Sequence, residues 1–152
     1  GKSLMPIIRG EIDEINEEIY AEVTFHAAYE PQRCVRTKRW KYIRRFGDRR
    51  IPVLPNCDDS LSKDVWLAHG WRDRPVAAEQ LYDLIFDPNE AHNVASDPAV
   101  TPVLQEMRAR LDRWMARTDD PLLQGDLVAA PAGARVNDPD GLSPRESPRI
   151  VS

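Results

Sequence analysis

Apolar and polar residues alternate from Ile19 to Phe25, with Ile19, Ala21, Val23 and Phe25 on one side and Tyr20, Glu22 and Thr24 on the other. A period of two predicts a half-buried strand. It stops at His26, and Ala27 to Gln32 is expected as a loop, because Pro31 lacks the N–H a central strand uses. Arg33–Arg36 and Trp40–Phe46 predict two more strands, joined by a turn at Thr37-Lys38-Arg39. Trp40, Tyr42 and Phe46 share one face of the second of these, Lys41 and Ile43 the other. Gln80–Phe86 returns to strand character, with bulk from Leu81, Leu84, Ile85 and Phe86.

The period then changes. Val103, Leu104, Met107, Leu111, Trp114 and Met115 keep helical spacing after Asp97-Pro98 or Thr101-Pro102, either of which supplies a cap followed by proline at the first helical position. Arg108, Arg110, Asp112, Arg113 and Arg117 lie mainly off that stripe, which predicts a helix docked on one face of a sheet. Asp87-Pro88-Asn89-Glu90 predicts a turn, since Asp suits the first position and Pro fixes φ at the second. A shorter helix is expected over Lys63–His69, capped by Asp58 or Ser62 and stopped at Gly70. Trp66 and Trp71 are expected to pack that excursion onto the sheet. Gly1 to Gly10 predicts a connector with an apolar anchor at Leu4, Met5, Ile7 and Ile8, and Glu11 to Glu18 an exposed acidic run. After Asp120-Pro121 the chain is rich in Pro, Ala, Gly and Asp, which predicts an extended tail, partly wrapped on a neighbouring surface.

Composition narrows this picture. The 152 residues suffice for one domain with a modest core, and the 13 prolines predict much extended or irregular chain. No apolar run approaches the length of a membrane helix. No basic-then-apolar start reads as a signal peptide, which in a partial chain leaves the compartment open. The net charge of −4 hides an asymmetry: Arg33 to Arg50 holds nine Arg/Lys and one Asp, a local +8 against −12 elsewhere. Such an island suggests an anionic partner or substrate. Equally, it is a hairpin neutralised by acidic neighbours within the fold.

Candidate chemistry is sparse. His26, His69 and His92 are far apart and form no H-E-x-x-H or H-x-H pattern, and neither Cys34 nor Cys57 belongs to a C-x-x-C pair. The two cysteines are expected to be free, although spacing alone does not settle pairing. There is no Gly-rich phosphate loop and no G-x-S-x-G elbow.

Three segments carry a family resemblance. Leu81-Tyr82-Asp83-Leu84 followed by Asp87-Pro88-Asn89-Glu90-Ala91-His92-Asn93-Val94-Ala95 is similar to the L-Y-D-L-x-x-D-P-x-E-x-x-N-L-A segment of sulfatases. Arg33-x-Val35-Arg36-Thr37-x-Arg39-Trp40-Lys41-Tyr42-Ile43 resembles their R-x-V-R-T-x-R-Y-K-Y-I strands, with Trp40 where tyrosine is usual. Gly1-x-Ser3-Leu4-x-Pro6-Ile7-Ile8-x-Gly10 resembles the G-x-S-L-x-P-L-L-x-G segment leaving the larger catalytic domain. The order matches, across most of residues 1 to 120. The run Ala27 to Arg33 and the stretch Pro55 to Trp71 look most like the heparan N-sulfatase-type branch.

The resemblance implies an α+β C-terminal subdomain, a small four-stranded antiparallel sheet with one long helix on one face. It implies residues 1–18 as a connector from a missing N-terminal catalytic domain, 19–118 as the subdomain and 119–152 as an extended tail. It implies calcium and a formylglycine in the missing domain, and none in this chain. Cys34 is followed by Val-Arg-Thr-Lys and Cys57 by Asp-Asp-Ser-Leu, so neither sits in the family's C-x-P-x-R motif. No catalytic residue or metal ligand is therefore assigned. The loop from His26 to Arg33 is the part expected near substrate, with His26 either donating to a sulfated sugar or serving as a strand-end histidine satisfied by backbone, and Arg33 either making a charge-assisted bond to a sulfate or carboxylate or holding a structural partner across the domain boundary. The expected partners are the missing domain and a sulfated substrate such as a carbohydrate, with no nucleic acid. The competing hypothesis is a stand-alone module whose basic hairpin, residues 33–50, binds nucleic acid or a sulfated polysaccharide through its cations and interleaved aromatics.

Overall fold

The computed structural model describes residues 2–125 and 127–152. Gly1, which opens the connector and the first family-like segment, and Asp126 lie outside the described residues. In chain order the elements are α1 (Met5–Ile8), β1 (Ile19–Phe25), β2 (Tyr29–Arg36), β3 (Trp40–Arg45), α2 (Leu61–Ala68), β4 (Glu79–Asp83), α3 (Thr101–Arg117), β5 (Arg135–Val136) and β6 (Arg149–Ile150). The first four strands form one antiparallel sheet in sequence order, as expected, and β5 and β6 pair separately.

Register decides which side chains meet the helix. Tyr20 lies opposite Val35, Val35 opposite Tyr42 and Tyr42 opposite Leu81, so these four form a row across one face. On that row sits the stripe of α3, whose Leu104, Met107, Leu111 and Met115 are buried, and together they make the core. The Tyr20 ring stacks on Trp114, with centroids 4.9 Å apart and planes within 6°. In β1 the period of two is as expected. The aromatic side faces the helix, while Ile19 is 56% exposed. Pairing with β2 fixes this, because a strand's register determines which side chains reach the helix face.

Local chemistry explains the boundaries. Thr37 closes the β2–β3 turn in place of a glycine: its amide donates to Trp40 O at 2.8 Å and its hydroxyl accepts from the Trp40 amide at 2.9 Å. Strand β4 stops at Asp83, earlier than the sequence suggested. The Leu84 amide turns to Arg39 O and the Asp87 amide to Asp83 O, so Ile85 and Phe86 point outward at 62% and 81% exposure. The Asp87 carboxylate accepts the Ala91 and His92 amides and closes the expected turn. Asn93 then lies along β4, accepting from the Leu81 amide and donating to Glu79 O, and so covers the free edge of the sheet. The short helix starts at Ser60, whose hydroxyl accepts from the Lys63 amide, and not at Asp58 or Ser62. Of the two candidate starts of the long helix, Asp97 caps a 3₁₀ turn over Pro98–Val100, and α3 follows from Thr101, which is its first residue and not a side-chain cap. Trp66 is half exposed and lines, with Trp71, a cleft beside Gln80 and Tyr82.

Beyond α3 the chain turns back through Asp119, at φ 52°, and Asp120 enters the interior. There its carboxylate takes Arg33 in a two-point contact, Nε to Oδ2 at 2.5 Å and Nη2 to Oδ1 at 3.2 Å. Asp120 also caps the turn Pro121–Gln124, which drops Leu122 into the core. Burial alone would raise the Asp120 carboxyl, but hydrogen bonds from Arg33 and the Leu122 amide hold it below the usual carboxylate range. Arg108, together with the Tyr42 hydroxyl, holds Glu79 low in the same way.

Truncating the centre of the helix stripe, Leu111→Ala, is expected to cost about 2–5 kcal/mol in urea unfolding, since Leu111 is fully buried. Asp120→Ala is expected to cost about 3–5 kcal/mol, because it strands a buried guanidinium. A carboxyl depressed in the fold stabilises it above the unfolded pKa and loses that contribution as pH falls through the folded value. Unfolding midpoints measured from pH 7 to pH 2 should therefore fall below about pH 4, and the fall should be shallower in Asp120→Asn.

Candidate substrate-facing loop

The loop between β1 and β2 is shorter than the sequence suggested. Val23 pairs with Gln32 and Phe25 with Tyr29, so one residue of β1 stands opposite two of β2, Glu30 and Pro31. This is a β-bulge. It explains how Pro31 lies inside a strand: the bulge demands no ladder donor there, and the Pro31 carbonyl still accepts from the Phe46 amide at 2.9 Å. The connection reduces to His26-Ala27-Ala28. His26 is exposed and Ala28 fully buried, so the turn presents its first side chain and anchors its last.

Arg33, the other residue singled out in the sequence, points the opposite way. It is 3% exposed. Besides the two bonds to Asp120, Nη1 donates to Val23 O at 2.8 Å and Gln32 O at 3.0 Å, and Nη2 to Thr24 Oγ1 at 3.1 Å. A guanidinium has five N–H groups, and this set uses all of them. Arg33 therefore braces the bulge behind His26, with no donor left for a sulfate.

Two further holders of the turn carry no sequence signal. The Ala28 amide donates to Asn56 Oδ1 at 2.8 Å, and the Asn56 amide nitrogen donates to Glu30 Oε2 at 2.9 Å. From the tail, the Asn137 backbone amide donates to Ala27 O at 2.8 Å. Asp120, Asn56 and Asn137 were missed because each acts on a partner distant in sequence, which no local spacing marks.

The basic island is neutralised within the fold. Arg33, Lys38, Arg39, Lys41, Arg44, Arg45 and Arg49 pair with Asp120, Glu14, Asp83, Glu90, Asp112, Glu30 and Asp140, leaving two of the nine, Arg36 and Arg50, without a carboxylate among the described residues. Arg50 donates to the carbonyls of Gly47 and Arg49. Both cysteines are free, and burial pushes the Cys34 thiol up, away from thiolate character. Among the described residues no three His, Cys, Asp or Glu side chains gather as a metal site, and no helix is long and apolar enough to cross a membrane.

No family model matches the chain. Individual proteins do. It is 29% identical over 140 residues to an ulvan-active sulfatase of Formosa agariphila, covering 86% of this chain and 27% of that protein. It is 27% identical over 149 residues to human N-sulphoglucosamine sulphohydrolase, covering 88% of this chain and 28% of that one. Among solved structures, a 2-O GAG sulfatase superposes with a TM-score of 0.57 at 27% identity, over 86% of this chain and 23% of that structure. The chain thus spans about a quarter of the length of the curated relatives it matches. With most of its own length aligned, and the sheet and helix shared, the chain is similar to the C-terminal-like part of sulfatases.

Proposed function

We propose that this chain is the C-terminal part of a sulfatase-like hydrolase of sulfate esters or N-sulfo groups, and that it shapes one wall of the substrate cleft. The observation that carries this reading is the asymmetry of coverage: 86% of this chain aligns with 27% of the ulvan-active sulfatase. The nucleophile and the metal belong to the other three quarters. Neither cysteine has the C-x-P-x-R context of a formylglycine precursor.

The apolar surface supports a larger parent. Leu4, which precedes α1, and Met5, Ile7 and Ile8 within it are 65, 45, 40 and 70% exposed. Four apolar side chains in and just before one turn of helix are the mark of a segment built to be covered. Residues 1–18 then connect to the catalytic domain, 19–118 form the subdomain and 119–152 follow it. Within the cleft wall His26 is the side chain that meets substrate, a hydrogen-bond donor toward a sulfated carbohydrate, and Arg33 holds its position from behind. A sulfated carbohydrate is the substrate class we favour, because the relatives are named for ulvan and for N-sulphoglucosamine. The rival reading, an anionic-polymer module on the basic hairpin, loses its main support once seven of the nine cations have carboxylate partners.

The chain incubated alone with a chromogenic sulfate ester and calcium is expected to give no turnover above a buffer blank; turnover would overturn the division of labour. The same reading frame upstream of Gly1 is expected to encode a C-x-P-x-R or S-x-P-x-R motif a few hundred residues earlier. An intact frame lacking it would remove the sulfatase reading.

A further inference from the structure

The segment after residue 130 does more than trail from the fold. It folds on itself through the β5–β6 ladder, with Arg135 opposite Ile150 and Val136 opposite Arg149. Gly133 and Val151 extend the pairing through bonds to Val151 O and Ala134 O. Inside it, Asn137 is 7% exposed and its side-chain nitrogen donates to Glu146 O at 3.0 Å and Pro144 O at 3.4 Å. The Glu146 carboxylate in turn accepts the Leu142 and Ser143 amides. Gly141 lies against that carboxylate so closely that a Cβ there would come within 2.5 Å of Glu146 Oε2. Residues 137–146 thus form a closed loop with a buried asparagine at its centre.

That loop is fastened to the body at three places. The Asn137 amide reaches Ala27 O, Asp140 takes Arg49 at 2.7 Å, and the Ser143 hydroxyl donates to Asp59. The first is the informative one. Ala27 has its carbonyl held by Asn137, and the next residue, Ala28, has its amide held by Asn56 Oδ1. Both groups point out of the β1–β2 ladder, where a three-residue turn normally leaves them to water. Two asparagines from remote parts of the chain take them instead. Asn56 is itself oriented by Glu30, which Arg45 holds at 2.5 Å. A peptide group fixed on both sides has little freedom to rotate, and the side chain before it inherits that restraint.

We propose that residues 135–150 are a working part of the site, and that Asn137 and Asn56 are positioning residues that clamp the Ala27–Ala28 peptide so that His26 is presented in one orientation. This rests on the reading that the His26 turn faces substrate, but its structural half stands apart from it. The clamp lowers the ordering cost of binding, since the turn is fixed before a ligand arrives.

The test uses the 152-residue chain and amide hydrogen exchange followed by NMR. In the wild type the Ala28 amide is expected to be protected although it lies in a turn. Asn56→Ala, which removes the acceptor of the Ala28 amide, and Asn137→Pro, which removes the backbone N–H that reaches Ala27 O, should each speed its exchange by about tenfold or more, while the Tyr42 and Ile43 amides of β3 stay unchanged. Arg149→Ala, on the exposed outer strand of the tail, should leave Ala28 as it is. No change at Ala28 in either asparagine variant would overturn the clamp. Equal acceleration across β2 and β3 in both would also overturn it, because the asparagines would then be core struts. A second arm titrates N-sulfoglucosamine against the His26 imidazole resonances. Binding weakened by about tenfold in Asn56→Ala, with unfolding midpoint unmoved, supports the positioning role. Ala28 protection lost on mutation, with no His26 shift even in the wild type, keeps the clamp and defeats the substrate-facing reading.

Discussion

A charge pair buried behind a hairpin sets the terms for the rest of this fold. Arg33 and Asp120 are 3% and 6% exposed, and removing two such groups from water is costly unless every donor and acceptor finds a partner. That condition shapes the backbone around them. The bulge at Glu30-Pro31 brings the Val23 and Gln32 carbonyls and the Thr24 hydroxyl within reach of the guanidinium. At the other end the chain must leave α3 at Arg117 and reverse through Asp119, whose positive φ is unusual for a residue with a side chain. One ion pair thereby links the first hairpin to the exit of the last helix. Its worth lies in geometry more than in net stabilisation, since buried pairs roughly break even against well-packed apolar groups.

The same accounting changes the meaning of the basic run. Cations at 39 and 41 meet Asp83 and Glu90, both inside the segment from Leu81 onward that resembles sulfatases. Asp87 and Asn93 of that segment close the turn and cover the sheet edge. Its polar residues are therefore instructions for folding: they join β3 to β4, finish the sheet and aim the chain into α3. Apart from these residues, the turn at His26 is where an exposed polar ring stands on a buried support.

How much of this was readable in the sequence depended on the range of the interactions. The stripe of α3, the Thr37–Arg39 turn and the Asp87 turn are decided within a few residues, and periodicity or turn chemistry found them. The tight turn at His26 was not readable, because the bulge that admits Pro31 exists only when β1 lies beside β2. Which side of β1 meets the helix was not readable for a related reason: it is set by the stacking of Tyr20 on Trp114, 94 positions apart in the chain. Ile85 and Phe86 read as strand by composition, whereas Asp83 ends the strand by taking Arg39. Asp120 read as the start of a tail. Nothing nearby in sequence indicates that it answers Arg33.

The site follows the same division. His26 was legible because a histidine at a strand end beside a proline-marked loop stands out locally. What gives it a defined direction was not, since Arg33, Asn56 and Asn137 act from three separate stretches of chain. These supports differ in kind. Arg33 fixes the bulge through charge, and its partner Asp120 is tuned to stay ionised. The asparagines act on a neutral peptide group through bonds of ordinary length, so they set orientation without adding a field at the imidazole. A turn held this way has its shape before any partner approaches His26.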